Sequence, residues 1–331
     1  MQKDINQLII IPTKKISCTF DGNENSINLE DSFMFLLEHL VLASSKKKYI
    51  YLSFDKDSSF KNESSAMIAT AKFLYQASFH YFSQTKRVFL DINVIFEKLN
   101  SKFLAGFNSQ QEIEIVFLGE QKAEVEQFLQ TQSNKQFKGS ELNFDQLSES
   151  SILVPCKFSS LPISNSQAHL RVALGGTFDH LHIGHKILLS VAAFAAKKSL
   201  VCGVMDPSNL TNKKFHELLE PLETRIQNVS SFLKLINPNL ACEPILKIVP
   251  IFDAFGPTLT DSSIDTLVVS QETSAGGDLV NTKRIEKGFS SLEIITVEVI
   301  SSSKNATAKE IIDAKVSSTS IREQLGKNDD L

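Results

Sequence analysis

Residues 175–185 read Gly-Gly-Thr-Phe-Asp-His-Leu-His-Ile-Gly-His, and the organisation of the rest of the chain can be worked out from them. A short apolar run at residues 171–174 precedes them and predicts a buried strand, while the alanine- and leucine-rich residues 186–196 predict a helix. A strand, a glycine turn and a helix start form a phosphate-binding geometry. The glycines let backbone N–H groups approach an anion, and the helix N-terminus is partly positive.

Two histidines stand three residues apart on the predicted first helical turn. The rings of His182 and His185 should therefore share one face and point at one phosphate. A single histidine at a helix start normally caps the helix or lies on the surface. A pair that follows Gly-Gly-Thr-Phe-Asp favours a functional role instead. Asp179 either has a role in the site or caps the helix that follows, and we expect His180 to be exposed.

Length and composition describe an ordinary globular protein. The 331 residues predict two domains, each able to bury its own core. The net charge of −4 argues against broad electrostatic binding to nucleic acid or to an acidic membrane, and no apolar run reaches the length of a membrane span. The four cysteines are scattered without metal-binding spacing, which predicts reduced thiols in the cytosol.

The first half of the chain alternates strand-like and helix-like segments, which predicts a small α/β domain with a mostly parallel sheet over residues 1–150. It contains no recognisable nucleotide-binding motif, so its role stays open. From residue 131 the composition shifts toward serine, glutamine and asparagine, and we assign residues 151–168 to a linker. The predicted strands are 8–11, 49–54, 87–96, 112–118 and 152–158, and the predicted helices are 31–42, 65–82 and 120–129.

The second half, residues 169–331, alternates strands and helices more clearly. Its short runs of valine, isoleucine and leucine suit parallel strands covered on both faces. Polar clusters follow several of these strands, and the carboxyl ends of parallel strands share one edge, so the clusters predict a single cleft. The predicted strands are 171–174, 199–205, 245–250, 265–269 and 292–300, and the predicted helices are 186–196, 223–236, 278–288 and 318–325.

The segment 175–190 resembles the signature of the HxGH nucleotidyltransferases, and most closely that of eukaryotic pantetheine-phosphate adenylyltransferases of the fungal, single-activity type. The resemblance extends over about residues 170–326. It implies an α/β fold: a Rossmann-like nucleotidyltransferase domain with a parallel sheet, preceded by a second, smaller α/β domain.

The resemblance also implies roles for particular residues. His182 and His185 would hold the α-phosphate of ATP and its transition state, and Thr177 would orient the attacking phosphate. Lys213, which precedes Glu-Leu-Leu-Glu-Pro and Arg225 as in the family pattern, would reach the phosphates of both substrates. The residues assigned to ATP binding are Gly175, Gly176, Phe178, Gly184, Ser270, Glu272, Arg284, Ser317, Ser318, Thr319 and Arg322.

Several of these assignments have structural alternatives. Phe178 is expected to pack under the turn, and Gly184 to let the adenine lie against the backbone. Ser270 and Glu272 either contact the nucleotide or shape a turn, and Arg284 either binds the triphosphate or forms a surface ion pair. The hydroxyl residues 317–319 open a helix, where they suit phosphate binding, although Ser320 with Glu323 also forms a capping box.

The implied reaction joins ATP and 4′-phosphopantetheine to give dephospho-coenzyme A and pyrophosphate. Mg²⁺ is expected with ATP, without a metal cage built from protein carboxylates. Alternatives are a nucleotidyltransferase with another acceptor and a catalytically weak nucleotide-binding scaffold that docks partners through residues 1–150. A Lys-Met-Ser-Lys-Ser segment, which would support an aminoacyl-tRNA synthetase, is absent from the sequence.

A Gly-x-x-x-x-Gly-Lys-Ser/Thr loop is absent from the 331 residues. We therefore expect a separate dephospho-coenzyme A kinase as a partner in the pathway. The expected location is the cytoplasm, with the nucleus as an alternative.

Overall fold

In the computed structural model the chain forms two compact units, Met1–Ser160 and Leu161–Leu331. The structure describes residues 6–12, 16–21, 24–29, 47–53, 68, 71, 72, 75, 91–95, 113–118, 122–131, 137–142, 171–241, 245–297 and 317–329.

The first unit contains a five-stranded sheet in which every pairing is parallel. Its strand order is β5-β4-β1-β6-β7, and β2 and β3 form a separate antiparallel hairpin. Ile115 and Val125 are fully buried, which places part of the core between β6 and the helix that follows it. The elements are β1 (Asn6–Pro12), β2 (Ile16–Asp21), β3 (Glu24–Leu29), β4 (Lys47–Ser53), β5 (Asp91–Ile95), β6 (Ile113–Leu118), α1 (Lys122–Thr131) and β7 (Phe137–Leu142).

The structure contains three strands in this unit that the sequence did not predict, β2, β3 and β7. The β2–β3 hairpin was not predicted, and β7 forms within the polar region where no strand was expected. Neighbouring β6 supplies the hydrogen-bonding partner that local composition does not reveal. The predicted helix 31–42 and strand 152–158 lie outside the described residues, as does helix 65–82 apart from four helical residues (68, 71, 72 and 75).

The second unit contains a five-stranded parallel sheet with the order β10-β9-β8-β11-β12. Its strands are β8 (Arg171–Gly176), β9 (Ser199–Met205), β10 (Leu246–Ile251), β11 (Thr266–Ser270) and β12 (Glu293–Val297). Its helices are α2 (Ile183–Ala195), α3 (Leu222–Ile236), α4 (Ser274–Glu286) and α5 (Ser318–Asp329). Single 3₁₀ turns occur at Pro207–Asn209, His216–Leu218, Pro238–Ala241, Gly256–Leu259 and Gln271–Thr273.

The central strands of this sheet are buried on both faces, as their continuous apolar sequences predict. Residues Val172, Ala173 and Leu174 of β8 are at most 3% exposed. Helix α2 packs on β8 and β11, while α3 packs on β9 and β10. The thiol of Cys202 is free and buried in β9, and burial raises its pKa. This domain is therefore Rossmann-like, as the sequence predicts.

The two sheets have the same topology. In each, the first parallel strand lies at the centre, the next two follow on one side, and the last two lie on the other. The first unit departs from this pattern only by the hairpin inserted between its first two parallel strands.

Two helix boundaries differ from the prediction by four residues: α5 ends at Asp329 rather than at residue 325, and α4 begins at Ser274 rather than at residue 278. Gly276 and Gly277 are thus helical, not part of a loop. Gly277 is buried, and a β-carbon there would lie 3.3 Å from the side chain of Ile294, so its lack of a side chain permits close packing on β12. No helix among the described residues combines the length and apolar character that a membrane span requires.

Candidate active site

The candidate site lies at the carboxyl edge of the second sheet. Strand order reverses at β8, and in open parallel sheets ligands bind outside the carboxyl ends of the strands at such a point. Gly175 and Gly176 are the last residues of β8 and not part of the turn itself. The turn that follows, residues 177–182, leads directly into α2.

This turn contains two non-glycine residues in the left-handed region, Phe178 with φ 50° and His180 with φ 45°. Such backbone conformations persist only where surrounding contacts fix them, and they cluster at functional sites. The Phe178 ring is fully buried and packs against Gly176, where a β-carbon would lie 3.1 Å from it. Phe178 therefore packs against the turn, and its buried ring is not available to contact a nucleotide.

His182 is the N-cap of α2, so the capping alternative for Asp179 is wrong. Its Nδ1 accepts a hydrogen bond from the backbone N–H of Gly184 at 3.1 Å. In the neutral ring the proton must then be on Nε2, which makes Nε2 the hydrogen-bond donor. The His182 ring stacks on that of His185, with centroids 3.9 Å apart and planes inclined by 25°.

His185 lies under this ring and beside Phe178, whose ring centroid is 5.5 Å away. Burial lowers the pKa of His185 well below its usual value, and the charge of protonated His182 lowers it further. Its Nδ1 is buried and has no hydrogen-bond partner among the described residues. A buried N–H without a hydrogen-bond partner is rarer than a buried acceptor without one. The proton of the His185 ring is therefore assigned to Nε2, and Nδ1 is the acceptor without a partner in the described part of the chain. His185 is thus a neutral hydrogen-bond donor.

Thr177 is half-buried, and Arg225 fixes its backbone. The fully buried guanidinium of Arg225 donates to the carbonyl oxygens of Thr177 and Met205, both at 2.8 Å, and so joins the ends of β8 and β9. Its Nε donates to the carbonyl oxygen of Glu220 at 2.9 Å. The family pattern includes Arg225, but the sequence assigned it no role.

Lys213 and Lys214 are exposed in the loop that follows β9. In the part of the chain that the structure describes, the ammonium of Lys213 makes no hydrogen bond or ion pair. The next residue but one, Phe215, is left-handed with φ 56°, and the carbonyl oxygen of Lys214 accepts a hydrogen bond from Arg322 Nε at 3.1 Å. The lysine loop is therefore attached to the last helix, while the charge of Lys213 faces no partner among the described residues.

The hydroxyl residues at the start of α5 have different roles. Ser317 caps the helix, because its Oγ accepts from the Ser320 N–H at 3.2 Å while Ser320 Oγ accepts from the Ser317 N–H at 3.0 Å. This pair replaces the predicted capping box between Ser320 and Glu323. Ser318 Oγ donates to the carbonyl oxygen of Asp179 at 2.8 Å, so the N-terminus of α5 lies against the histidine turn.

Arg322 does not project into solvent. Its side chain is 2% exposed and forms an ion pair with the buried carboxylate of Asp179. Its NH2 group donates to Thr319 Oγ1 at 3.3 Å, which leaves the Thr319 hydroxyl proton available. His180, expected to be exposed, is also held: its ring is 19% exposed and lies 2.9 Å from the Leu218 carbonyl oxygen.

The residues after β11 shape a turn. Ser270 Oγ and Thr273 Oγ1 are 3.0 Å apart and hydrogen-bonded, and Thr273 Oγ1 also donates to the Ser270 carbonyl oxygen. Glu272 is exposed in the same 3₁₀ turn. This corresponds to the structural alternative for the cluster, and nucleotide contacts from Ser270 and Glu272 stay a prediction.

Arg284 has neither of its predicted roles. Its side chain is fully buried, and all five N–H donors are directed at backbone carbonyl oxygens. These acceptors belong to Thr258, Asp261, Ser262, Ile264 and Ser290. No donor is left for a triphosphate, so we remove Arg284 from the candidate site. The sequence alone does not distinguish an exposed arginine from a buried one whose N–H donors are all hydrogen-bonded.

The structure thus brings together the paired histidines, the lysine loop and the start of the last helix, which are the main predicted clusters. The sequence did not identify Asp179 and Arg225 as residues that hold these segments in place, because their partners are mostly backbone atoms distant in sequence. The left-handed residues around Asp179 give no local sequence signal either.

A Rossmann-like sheet with this histidine turn at its reversal point defines a nucleotidyltransferase-type domain. Consistent with that class, residues 173–324 match the family model described as cytidylyltransferase-like. The chain is 46% identical over 153 residues to the phosphopantetheine adenylyltransferase of Saccharomyces cerevisiae, a match of 46% of this chain and 48% of that protein.

Two archaeal phosphopantetheine adenylyltransferases are matched over most of their length. The Pyrococcus abyssi protein is 38% identical over 132 residues, which are 40% of this chain and 80% of that protein. The Pyrococcus horikoshii protein is 35% identical over 155 residues, which are 47% of this chain and 89% of that protein. The chain belongs to the phosphopantetheine adenylyltransferase family of nucleotidyltransferases. It spans about half the length of the yeast relative that it matches.

Proposed function

We propose that the chain transfers the adenylyl group of ATP to 4′-phosphopantetheine, giving dephospho-coenzyme A and pyrophosphate. In this reaction an oxygen of the acceptor phosphate forms a bond to the α-phosphorus of ATP. The bond from the α-phosphorus to the bridging oxygen breaks, and its electron pair leaves with pyrophosphate. No side chain becomes covalently modified.

The observation that carries the proposal is the stacked pair His182 and His185 at the start of α2, with the N-terminus of α5 held against the same turn. In-line displacement at phosphorus depends on positioning and on neutralising oxygen charge more than on acid–base chemistry. Two imidazole Nε2–H donors at a helix N-terminus suit an α-phosphate that carries one negative charge.

Other residues take roles on the same grounds. Lys213 neutralises phosphate oxygens in this proposal, which is supported by its exposed ammonium having no partner in the described part of the chain. Thr177 follows the central strand and orients the acceptor phosphate, with its backbone fixed by Arg225. Thr319 contributes to the triphosphate site from the last helix, whereas the Ser318 hydroxyl, also predicted to do so, donates its proton to the Asp179 carbonyl oxygen. Gly184 lies on the adenine side.

Mg²⁺ accompanies ATP in this proposal. The described residues contain no group of three or more His, Cys, Asp or Glu side chains that could hold a metal ion. Mg²⁺ usually keeps several waters and binds through substrate phosphates, so the phosphate oxygens would be its main ligands here. No step is assigned to it.

The choice of acceptor is tested by pyrophosphate release from ATP with three acceptors: 4′-phosphopantetheine, nicotinamide mononucleotide and phosphocholine. We expect release with 4′-phosphopantetheine at least about 10²-fold faster than with the others, since an acceptor that leaves buried polar groups unpaired is rejected strongly. Preference for another acceptor, or for CTP over ATP, would assign the chain to a different nucleotidyltransferase reaction. A separate kinase for the product stays a prediction.

A further inference from the structure

The carboxylate of Asp179 is fully buried and joins three segments that are distant in sequence. Its Oδ1 accepts a hydrogen bond from the Glu220 N–H at 2.9 Å, and its Oδ2 pairs with the guanidinium of Arg322. The backbone carbonyl of Asp179 accepts the hydroxyl proton of Ser318 at 2.8 Å. A buried charge is tolerated only when it is paired and hydrogen-bonded, and here the partners come from two other segments, the loop at Glu220 and the start of α5.

Arg322 extends this connection to the lysine loop. Its NH1 group donates to the carboxylate of Asp179 in the histidine turn, while its Nε donates to the carbonyl oxygen of Lys214 at 3.1 Å. Lys214 is the neighbour of Lys213, the proposed phosphate-binding lysine. A single buried arginine therefore touches both the histidine turn and the lysine loop from the last helix.

The turn needs such support. Phe178 and His180, on either side of Asp179, both have left-handed backbone conformations. The N–H of His180 donates to Glu220 Oε2 at 2.7 Å, beside the bond from the Glu220 N–H to Asp179. Glu220 is thus hydrogen-bonded to both Asp179 and His180, and these two bonds support the strained turn.

We infer that Asp179, acting through its ion pair with Arg322, is a positioning residue that fixes the paired imidazoles, the lysine loop and the start of α5 in one arrangement. Neither side chain contacts substrate in this account, so Arg322 acts on the phosphates only through the segments it holds. The inference rests on the proposed adenylyl transfer and deepens it.

The consequence for catalysis is specific. The three segments must act together on the transition state, whereas bound ATP can keep some contacts when one segment shifts. A misplacement of about 1 Å can cost about 10²-fold in rate. Loss of the ion pair should therefore lower kcat more than it raises the KM for ATP.

The test compares Asp179→Asn, Arg322→Gln and the double variant in the full chain, at a temperature where circular dichroism shows each to be folded. We expect each single variant to lower kcat by about 30- to 100-fold, with the KM for ATP changed less than about 3-fold. The double variant should be no worse than the poorer single variant, because both changes remove the same interaction.

Asn281→Ala is the matched control. Asn281 also joins two segments through its side chain, donating to the Leu292 carbonyl oxygen and accepting from the Leu292 N–H, but at the amino end of β12. It should lower the melting temperature without changing kcat. Asp179→Asn could lose activity only in proportion to the fraction of unfolded protein, which is the behaviour expected of Asn281→Ala. The Asp179–Arg322 ion pair would then have a structural role alone. If Arg322→Gln mainly raises the KM for ATP, and its effect multiplies with that of Asp179→Asn, Arg322 binds ATP directly. Either result overturns the inference.

A second measurement separates this inference from the proposed function. The ¹⁵N resonances of the His182 and His185 rings report their tautomer and stacking without any reaction. They should shift in folded Asp179→Asn but not in Asn281→Ala. Shifted resonances in a chain that releases no pyrophosphate with any acceptor would defeat the proposed function alone. An active chain whose resonances do not shift in Asp179→Asn would defeat the positioning role alone.

Discussion

The imidazoles of His182 and His185 stack 3.9 Å apart, and the His182 ring also caps the helix on which His185 lies. The two rings are therefore not equivalent. His182 is oriented by the backbone of Gly184, whereas burial against Phe178 keeps the His185 ring in place.

The first prediction concerns turnover. His185→Ala removes one donor to the transition state and should lower kcat by about 10²–10³-fold, equivalent to about 3–4 kcal/mol. The measurement is pyrophosphate release at saturating ATP and 4′-phosphopantetheine. His216→Ala, which removes an exposed histidine (62% side-chain exposure), should keep wild-type turnover. Full activity in His185→Ala would remove this ring from the mechanism.

The second prediction concerns pH and stability. Burial lowers the pKa of His185 in the folded state, so below about pH 6.5 the unfolded chain binds a proton that the folded chain excludes. The free energy of unfolding should therefore fall as pH drops from 6.5 toward the folded-state pKa, with a contribution of at most about 1.4 kcal/mol per pH unit. Above pH 6.5 this contribution is absent.

Urea unfolding at pH 7.5, 6.0 and 5.0 measures it, with His185→Asn as the comparison. The variant should lose part of the pH dependence between 6.5 and 5.0. Equal slopes in both proteins would mean that His185 titrates normally in the folded state.

The third prediction concerns Arg284. Arg284→Gln leaves several buried carbonyl oxygens without donors and should lower the free energy of unfolding by about 3 kcal/mol or more. The neighbouring Lys283→Gln breaks only an exposed ion pair with Glu286 and should change it by less than about 1 kcal/mol. Denaturant titration of both variants measures their free energies of unfolding. Similar stabilities for the two would contradict the buried role of Arg284.

The fourth prediction concerns the second unit alone. Leu161–Leu331 has its own sheet and core and carries every residue of the candidate site, so this fragment should fold and retain adenylyl transfer. Circular dichroism and pyrophosphate release check the two parts of the statement. A folded fragment without activity would show that the first unit contributes to catalysis.

The sequence predicted the second domain closely because its signals are local. Strand β9 was predicted with its observed bounds, 199–205, and α3 within one residue, since apolar periodicity follows burial on a regular sheet. For the first unit the parallel sheet was predicted, but strand order depends on pairings between distant residues. The identical order of the two sheets is visible only in the structure.

By itself, the sequence indicated a parallel sheet, a cleft at its carboxyl edge and the paired histidines, because each follows from short-range pattern and spacing. The Rossmann-like architecture followed from the resemblance of residues 170–326 to the HxGH nucleotidyltransferases. Only the tertiary structure decided which arginines are available to a ligand. Arg284 and Arg322 both lie on predicted helices, which does not reveal whether their side chains are exposed. In the structure both are buried, Arg284 among carbonyl oxygens and Arg322 against Asp179. The physical reason is that a guanidinium is satisfied by acceptors of any origin, and chain folding alone determines which acceptors surround it.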